Sequence, residues 1–299
     1  MNLLDGKIVS AHYKSLLQHN VNVAIAKGLR VPHLAAVLVG SNPASEFYVQ
    51  SKMRSCKEVG FHSSLISKDE NITESELVTI LHQLNSNDNI DGYIVQLPLP
   101  KHIDESKIIQ AIAPSKDVDG FHPISIGKLV LNQDTFISAT PLGITKILEY
   151  YHIPTSGKHC VIIGRSHIVG MPMGLLMLRN SSIGNSTVTY THSRTENLKA
   201  ITSQADILIA AIGKPNYITA DMIKNGAIVI DVGINRINDE SKKKGYRIVG
   251  DVDFESVKNI ASYITPVPGG VGLMTVIALL LNTWKAYNNT FLIENHKNE

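Results

Sequence analysis

Six short apolar runs constrain what this chain can fold into: "LAAVLVG" at 34–40, "GYIVQLPLP" at 92–100, "CVIIG" at 160–164, "TVTYT" at 187–191, "DILIAAIG" at 206–213 and "AIVIDVGI" at 227–234. They are rich in β-branched residues and continuous, the pattern of parallel strands buried on both faces. Amphipathic stretches of helical period separate them. Thr73 with Glu76 is a capping-box pattern opening the helix "ELVTILHQLN", and Asn42 before Pro43 sets a good N-cap ahead of a good first helical residue. Strands alternating with helices imply an α/β architecture.

At 299 residues the chain exceeds the usual size of one domain and suggests two. Its character changes near Ala139. Before that point stand two or three βα units and the polar loop "KDVDGFHP"; after it Thr140 and Pro141 start a helix, and a second βα series begins with "HCVIIGRSHIVG". The expected division is residues 1–139 and 140–272. The apolar final helix, within 273–299, is expected to pack against other protein. With 43% hydrophobic and 18% charged residues, and no apolar run of the roughly 18 residues a membrane span needs, the composition is that of a folded, non-membrane protein.

The N-terminus "MNLLDGKIVSAHYK" lacks the marks of a cleaved targeting segment, so a cytoplasmic location is expected. Cys56 and Cys160 form no CxxC pattern, which fits a reducing compartment and makes both small buried hydrophobes. The histidines show no HExxH or paired ligand spacing, and no metal is expected. A net charge of +2 gives no reason to expect nucleic acid, and the run "SKKKGYR" at 241–247 reads as a solvated turn between two strands.

"CVIIG" runs directly into "GRSHIVGMPMGLLMLR". A strand feeding a glycine-containing turn and then a helix N-terminus suits a phosphate, because free N–H groups and the helix dipole both favour an anion. The strict GxGxxG spacing is absent: Gly164 and Gly170 flank the turn, and Ser166 holds the second glycine's place. In a dinucleotide fold an acid after the second strand accepts from a ribose 2′-hydroxyl, whereas basic residues suit a 2′-phosphate. Here that strand ends "TVTYTHSRT", with Ser193 and Arg194 and no acid before Glu196, while the turn supplies Arg165. The donors favour NADP over NAD.

In "NPASEFYVQSK", Tyr48 and Lys52 lie about a turn apart on one helix face, a spacing equally compatible with a solvent-facing pair and a catalytic one. Gln96 ends a parallel strand and precedes two prolines that stop further pairing; polar groups at such strand ends bind ligands in open α/β sheets. In "KDVDGFHP" either Asp117 or Asp119 can be the turn-forming residue or the functional one. "TPVPGGVGLMT" at 265–275, with Pro268, Gly269 and Gly270, is either a packing turn or a ligand wall.

Taken in order, "YVQSK", "DGYIVQLPLP", "KDVDGFHP", "GRSHIVGMP", "DVGIN", "VGDVDFE" and "YITPVPGGVGLMT" closely resemble the bifunctional methylenetetrahydrofolate dehydrogenase/methenyltetrahydrofolate cyclohydrolase family. The likeness spans essentially the whole chain. It implies an N-terminal catalytic domain, a C-terminal NADP-binding Rossmann domain, a folate cleft between them, a final helix that returns to the catalytic domain, and a homodimer. It further implies that Lys52 is the central catalytic group, that Tyr48 stacks on the folate, that Gln96 hydrogen-bonds Lys52, and that Asp119 holds the pterin. Pro268, Gly269 and Gly270 are then substrate-binding, and Gly164, Arg165, Ser166, Ser193, Arg194 and Ile234 bind NADP. A lysine in water is almost wholly protonated at neutral pH, but burial beside a cationic substrate favours the neutral amine, which would let Lys52 relay a proton.

Relatives often carry a basic residue where this chain has Leu142 and a proline where it has Leu273; neither change removes an assigned chemical group. The stretch "RNSSIGNST" at 179–187 looks like a surface loop insertion, and from the length no attached synthetase domain is expected. A short-chain dehydrogenase also uses a Tyr-xxx-Lys pair, but there the glycine loop precedes the pair, the reverse of the order here. The remaining alternative is a catalytically silent NADP-binding dimerisation or regulatory module, against which Lys52, Gln96 and Asp119 together speak.

Overall fold

The computed structural model describes residues 2–242 and 245–297, with side chains described to residue 289. In chain order the strands are β1 Asn2–Leu3, β2 His33–Val39, β3 His62–Lys68, β4 Gly92–Val95, β5 His159–Ile163, β6 Thr187–Thr191, β7 Ile207–Ala210, β8 Ile228–Asp231, β9 Asn235–Asn238, β10 Tyr246–Val249 and β11 Tyr263–Ile264. Contacts divide the chain into two compact units. The first holds His12–Ala139 and the residues from Val276 on; the second holds the residues up to Ala11 and Thr140–Thr275.

In the first unit a parallel sheet runs in the order β3-β2-β4. The six expected apolar runs all contain strands, but β3, "HSSLISK", was not among them: it is an edge strand, largely exposed, and needs no apolar sequence on either face. Ala35, Val37 and Val39 of β2 share a core with Leu77, Leu81 and Leu84 of the helix Glu74–Asn85, whose four-and-three spacing makes one apolar stripe. Its capping box is formed: Thr73 Oγ1 accepts from Glu76 N at 3.2 Å, and a Glu76 carboxylate oxygen accepts from Thr73 N at 2.9 Å. Right-handed crossovers from β2 to β3 and from β3 to β4 run in opposite directions, so the helix Pro43–Val59 covers the other face.

The later part of the last helix, Val271–Lys297, belongs to this unit. Asn282 Nδ2 donates to Val118 O and to Ile137 O, both at 2.8 Å. Tyr287 donates its hydroxyl to Arg30 O at 2.7 Å, and Trp284 stacks on Phe61.

In the second unit a parallel sheet runs β1-β11-β8-β7-β5-β6. Val161, Ile163, Leu208, Ala210, Val229 and Ile264 line one core face beneath it. β1 pairs with β11 through Asn2↔Tyr263 and Leu3↔Ile264, which ties the first residues of the chain to this unit. β9 and β10 form a separate antiparallel ribbon with the Arg236 guanidinium 3.5 Å above the Tyr246 ring. Of the Lys-rich run expected as a turn, Lys243 and Lys244 lie outside the described residues.

The stretch 179–187 is more than a surface insertion. Thr155 Oγ1 donates to Gly184 O at 2.8 Å and accepts from Gly184 N at 2.9 Å, Ser186 Oγ donates to Thr155 O, and Gly184 and Ser186 are buried. Both cysteines are buried, and burial pushes each thiol up to about 12, far from the reactive range. Among the described residues no helix is long and apolar enough to cross a membrane.

Candidate functional site

In the first unit β2 lies between β3 and β4, so the chain segments leaving β2 and β4 diverge and open a crevice at their carboxyl ends. Lys52 and Gln96 both come from these exits. The helix after β2 starts at Pro43, with Asn42 Oδ1 accepting from Ala44 N at 2.9 Å and Ser45 N at 3.3 Å. Its buried face carries Ser45, Val49, Cys56 and Val59. Lys52, half-buried, sits on that same stripe, a cation where the pattern calls for an apolar residue.

Lys52 Nζ donates to Gln96 Oε1 at 3.1 Å. Gln96 Nε2 in turn donates to Leu97 O at 2.8 Å, and Gln96 N donates to Val37 O at 2.9 Å, so the amide is held with its oxygen toward the lysine. Tyr48, one turn before Lys52, leaves 37% of its surface exposed, with the Phe47 ring edge-on to it at 6.0 Å. Partial burial raises the Tyr48 phenol above its usual value.

The two aspartates of "KDVDG", open alternatives in the sequence, have different surroundings. Asp117 is buried and fully engaged: Oδ1 accepts from Phe121 N at 3.2 Å, and Oδ2 from His122 N at 2.8 Å and Ser125 Oγ at 2.9 Å. Burial pushes it up to about 6, although those hydrogen bonds hold it down. Asp119 makes no side-chain hydrogen bond among the described residues. Burial raises its carboxyl, and the nearby Lys52 charge opposes that rise. The backbone around it is pinned: Asp119 O accepts from Ala139 N at 3.3 Å, Ser138 Oγ donates to Gly120 O at 3.0 Å, and Asn282 holds Val118 O. Gly120 is required, since its φ is 72° and a Cβ there would lie 2.6 Å from Ile137 backbone.

The second unit repeats the arrangement, with β5 between β6 and β7. Gly164 leaves β5 with φ 125°, and a Cβ there would lie 2.3 Å from Ala211 O at the exit of β7. Gly164 N donates to Thr191 O at 2.9 Å, joining the turn to the end of β6. A Cβ on Gly170 would strike Gly164 O at 2.3 Å, so the helix Gly170–Leu178 starts directly against the turn. Ser166 Oγ accepts from Val169 N and Gly170 N at 3.2 and 3.3 Å. Arg165, Ser193 and Arg194 are exposed, and neither guanidinium has a carboxylate partner among the described residues. The backbone of that second turn is shaped by His192 Nδ1, which accepts from Arg194 N at 3.2 Å. Close backbone approach, a helix start and unpaired cations suit a phosphorylated dinucleotide.

Ile234 is 46% exposed, and a Cβ on Gly272 would meet its Cδ1 at 3.1 Å. Pro268, Gly269 and Gly270 belong to this second unit, whereas Lys52, Tyr48, Gln96 and Asp119 belong to the first. Beneath the loop lies Gly6, whose Cβ would be 2.2 Å from Gly270 O. Leu273 is partly exposed. Among the described residues no cluster of three or more His, Cys, Asp or Glu is placed to hold a metal.

Sequence reasoning missed Gly174. The Tyr190 hydroxyl donates to Met171 O at 2.8 Å, and a Cβ on Gly174 would lie 2.0 Å from the Tyr190 hydroxyl oxygen. This glycine lets β6 and the helix pack closely, and a lone glycine within the apolar run "MPMGLLML" was its signal. Also missed was Asp251, buried with several backbone donors around it.

By carbon NMR the Asp119 carboxyl is expected to titrate above the ordinary aspartate range. Replacing Lys52 with Met removes the opposing positive charge and is expected to move that titration higher still; a downward move contradicts the assignment.

Residues 4–119 match the family described as tetrahydrofolate dehydrogenase/cyclohydrolase, catalytic domain, and residues 138–291 match its NAD(P)-binding domain. The chain is 58% identical over 286 residues to the bifunctional protein FolD of Cytophaga hutchinsonii, covering 96% of this chain and 99% of that protein. The crystal structure of the bifunctional enzyme FolD from Campylobacter jejuni is similar at TM-score 0.91 and 48% identity, covering 97% and 99% of the two chains. FolD of Trypanosoma brucei, crystallised with NADP cofactor and inhibitor, is similar at TM-score 0.90 and 33% identity, covering 96% and 97%. The chain belongs to the tetrahydrofolate dehydrogenase/cyclohydrolase family.

Proposed function

We propose that this protein is a bifunctional enzyme of one-carbon folate metabolism. It oxidises 5,10-methylenetetrahydrofolate to the 5,10-methenyl form with NADP and hydrolyses that product to 10-formyltetrahydrofolate. The observation that carries the reading is the Lys52–Gln96 contact of 3.1 Å at a strand switch point, with the Asp119 carboxyl, which makes no hydrogen bond among the described residues, within the lysine's field. A silent nucleotide-binding module has no use for this trio. On the family's usual state the protein is a cytoplasmic homodimer, with neither nucleic acid nor membrane as partner.

The pterin presents adjacent N–H donors on one edge, and the Asp119 carboxylate can accept both. Tyr48 offers an aromatic face on which the folate stacks. Pro268, Gly269 and Gly270 are assigned to the substrate wall. NADP, when bound, supplies the acceptor for the hydride that leaves the carbon between N5 and N10. Gly164, Ser166 and the helix start hold its phosphates, Arg165, Ser193 and Arg194 its 2′-phosphate, and Ile234 gives an apolar contact. For this oxidation the protein sets distance and orientation.

In the hydrolytic step the oxygen of water bonds to the cationic methenyl carbon and loses both its protons as the carbonyl forms. One proton goes to N5 as the carbon–N5 bond breaks; the other is released. Lys52 Nζ, at the site, accepts the proton from the water and passes it to N5. Gln96 keeps Nζ in place.

Replacing Lys52 with Met is expected to lower cyclohydrolase activity about 10²–10⁴-fold, as loss of an acid–base group does, while NADP affinity measured by calorimetry stays nearly unchanged. Equal loss of both in a folded variant contradicts the role. Arg165→Ala and Arg194→Ala are each expected to weaken NADP about tenfold and NAD far less, the worth of one charge-assisted contact. An unchanged preference between the coenzymes contradicts the 2′-phosphate assignment.

A further inference from the structure

Asp251 follows β10 and is fully buried. Among the described residues it has no cationic partner, and its carboxylate is satisfied by N–H groups. Oδ2 accepts from Ile212 N at 2.7 Å and Gly213 N at 3.0 Å, and Oδ1 accepts from Lys214 N at 2.9 Å and Asn235 Nδ2 at 2.8 Å. A carboxylate has about four acceptor positions, and these four donors use them. Three belong to consecutive residues of the loop leaving β7. The fourth comes from the residue after Ile234, at the exit of β8.

The backbone reinforces this clamp. Asn216 N donates to Gly250 O at 3.0 Å, and Ile218 N donates to Asp251 O at 2.9 Å, so the segment around Asp251 runs alongside the loop it holds. Asp231, at the end of β8, accepts from Asp251 N at 2.9 Å and Val252 N at 3.0 Å, which fixes the backbone carrying the clamp. There is no slack: a Cβ on Gly233 would lie 2.4 Å from Asp251 Oδ1, and one on Gly250 would lie 1.7 Å from Asp231 Oδ2.

The clamped loop faces the nucleotide turn. Its first residue, Ala211, presents the carbonyl against which Gly164 packs, and the peptide that follows carries Ile212 N, held by Asp251. The held Asn235 adjoins Ile234, assigned to the nucleotide. Asp251 therefore sits behind both walls of the switch point without being exposed to a ligand.

We propose that Asp251 is a positioning residue for the NADP-dependent oxidation: its carboxylate holds the loop Ile212–Lys214 and Asn235 so that Gly164 and Ile234 meet the nucleotide in register. The inference rests on the bifunctional reading above. It assigns Asp251 to one of the two activities, because Lys52, Gln96 and Asp119 lie in the other unit.

Asp251→Asn keeps the shape but leaves one acceptor oxygen and sets an amide N–H₂ against N–H donors. The expected result is a fall in dehydrogenase kcat/KM for NADP on the order of 10–100-fold, the scale for misplaced binding groups, and a weaker NADP Kd by calorimetry. Cyclohydrolase activity on supplied methenyltetrahydrofolate stays within about twofold, since no group for that step moves. Asn235→Ala removes only the tether beside Ile234. It is expected to raise KM for NADP several-fold with little effect on Tm, and it carries the test if Asp251→Asn does not fold. Parallel loss of both activities in folded Asp251→Asn, or unchanged NADP affinity in the folded variants, would overturn the assignment. An unmodified protein without NADP-dependent oxidation overturns the bifunctional reading itself, and the positioning role falls with it.

Discussion

Everything assigned to chemistry in this protein depends on one topological constraint, met twice. In each unit the first strand of a parallel series lies between the second and the third, β2 between β3 and β4, and β5 between β6 and β7. Right-handed crossovers then send consecutive helices to opposite faces, and the exits of the central pair must part. That parting leaves backbone N–H groups, strand-end side chains and helix starts without secondary-structure partners. Lys52 and Gln96 come from one such place, and Gly164 and Ala211 from the other.

Behind each crevice lies a buried carboxylate that gathers hydrogen-bond donors from the neighbouring loops. Asp117 takes three donors in the loop that carries Asp119, whose carboxyl makes no hydrogen bond among the described residues; Asp251 takes four and holds the loop against which Gly164 packs. An anion buried without a cation is tolerated when N–H and O–H donors fill its acceptor positions, and each such bond exceeds a neutral one in strength. The geometry is therefore rigid where ligands must be met. The cost falls on Asp117, which burial pushes up to about 6.

Much of this was legible in the sequence. The six apolar runs contain strands, Thr73 and Asn42 cap where their residue types predict, and Lys52 meets Gln96 as the family resemblance implies. What stayed hidden has physical reasons. β3 is a polar edge strand with no apolar signature, and β1 and β11 are two-residue strands from opposite ends of the chain, so no local pattern marks them. For the same reason no local signal groups the residues up to Ala11 with Thr140–Thr275. The burial within 179–187 depends on Thr155, more than twenty residues away in sequence. Gly174 and Asp251 act through contacts with Tyr190 and with three consecutive backbone amides, which no spacing rule anticipates. Lys52 on the buried stripe of its helix was, by contrast, a visible anomaly.

Asp117 and Asp119, two residues apart, were indistinguishable from sequence alone, and the folate site depends on their division of labour. The direct measurement compares Asp117→Asn and Asp119→Asn for Tm and for tetrahydrofolate binding by calorimetry. A carboxyl raised by burial weakens the fold above its pKa and stops doing so as pH falls through it, so neutralising Asp119 leaves Tm unchanged or higher at pH 7. Folate binding in that variant falls roughly 100-fold, the worth of a paired charge-assisted contact. Asp117→Asn instead lowers stability by about 1–3 kcal/mol through its unsatisfied donors. Folate affinity retained in Asp119→Asn, with Asp117→Asn as stable as the unmodified protein, would contradict the account.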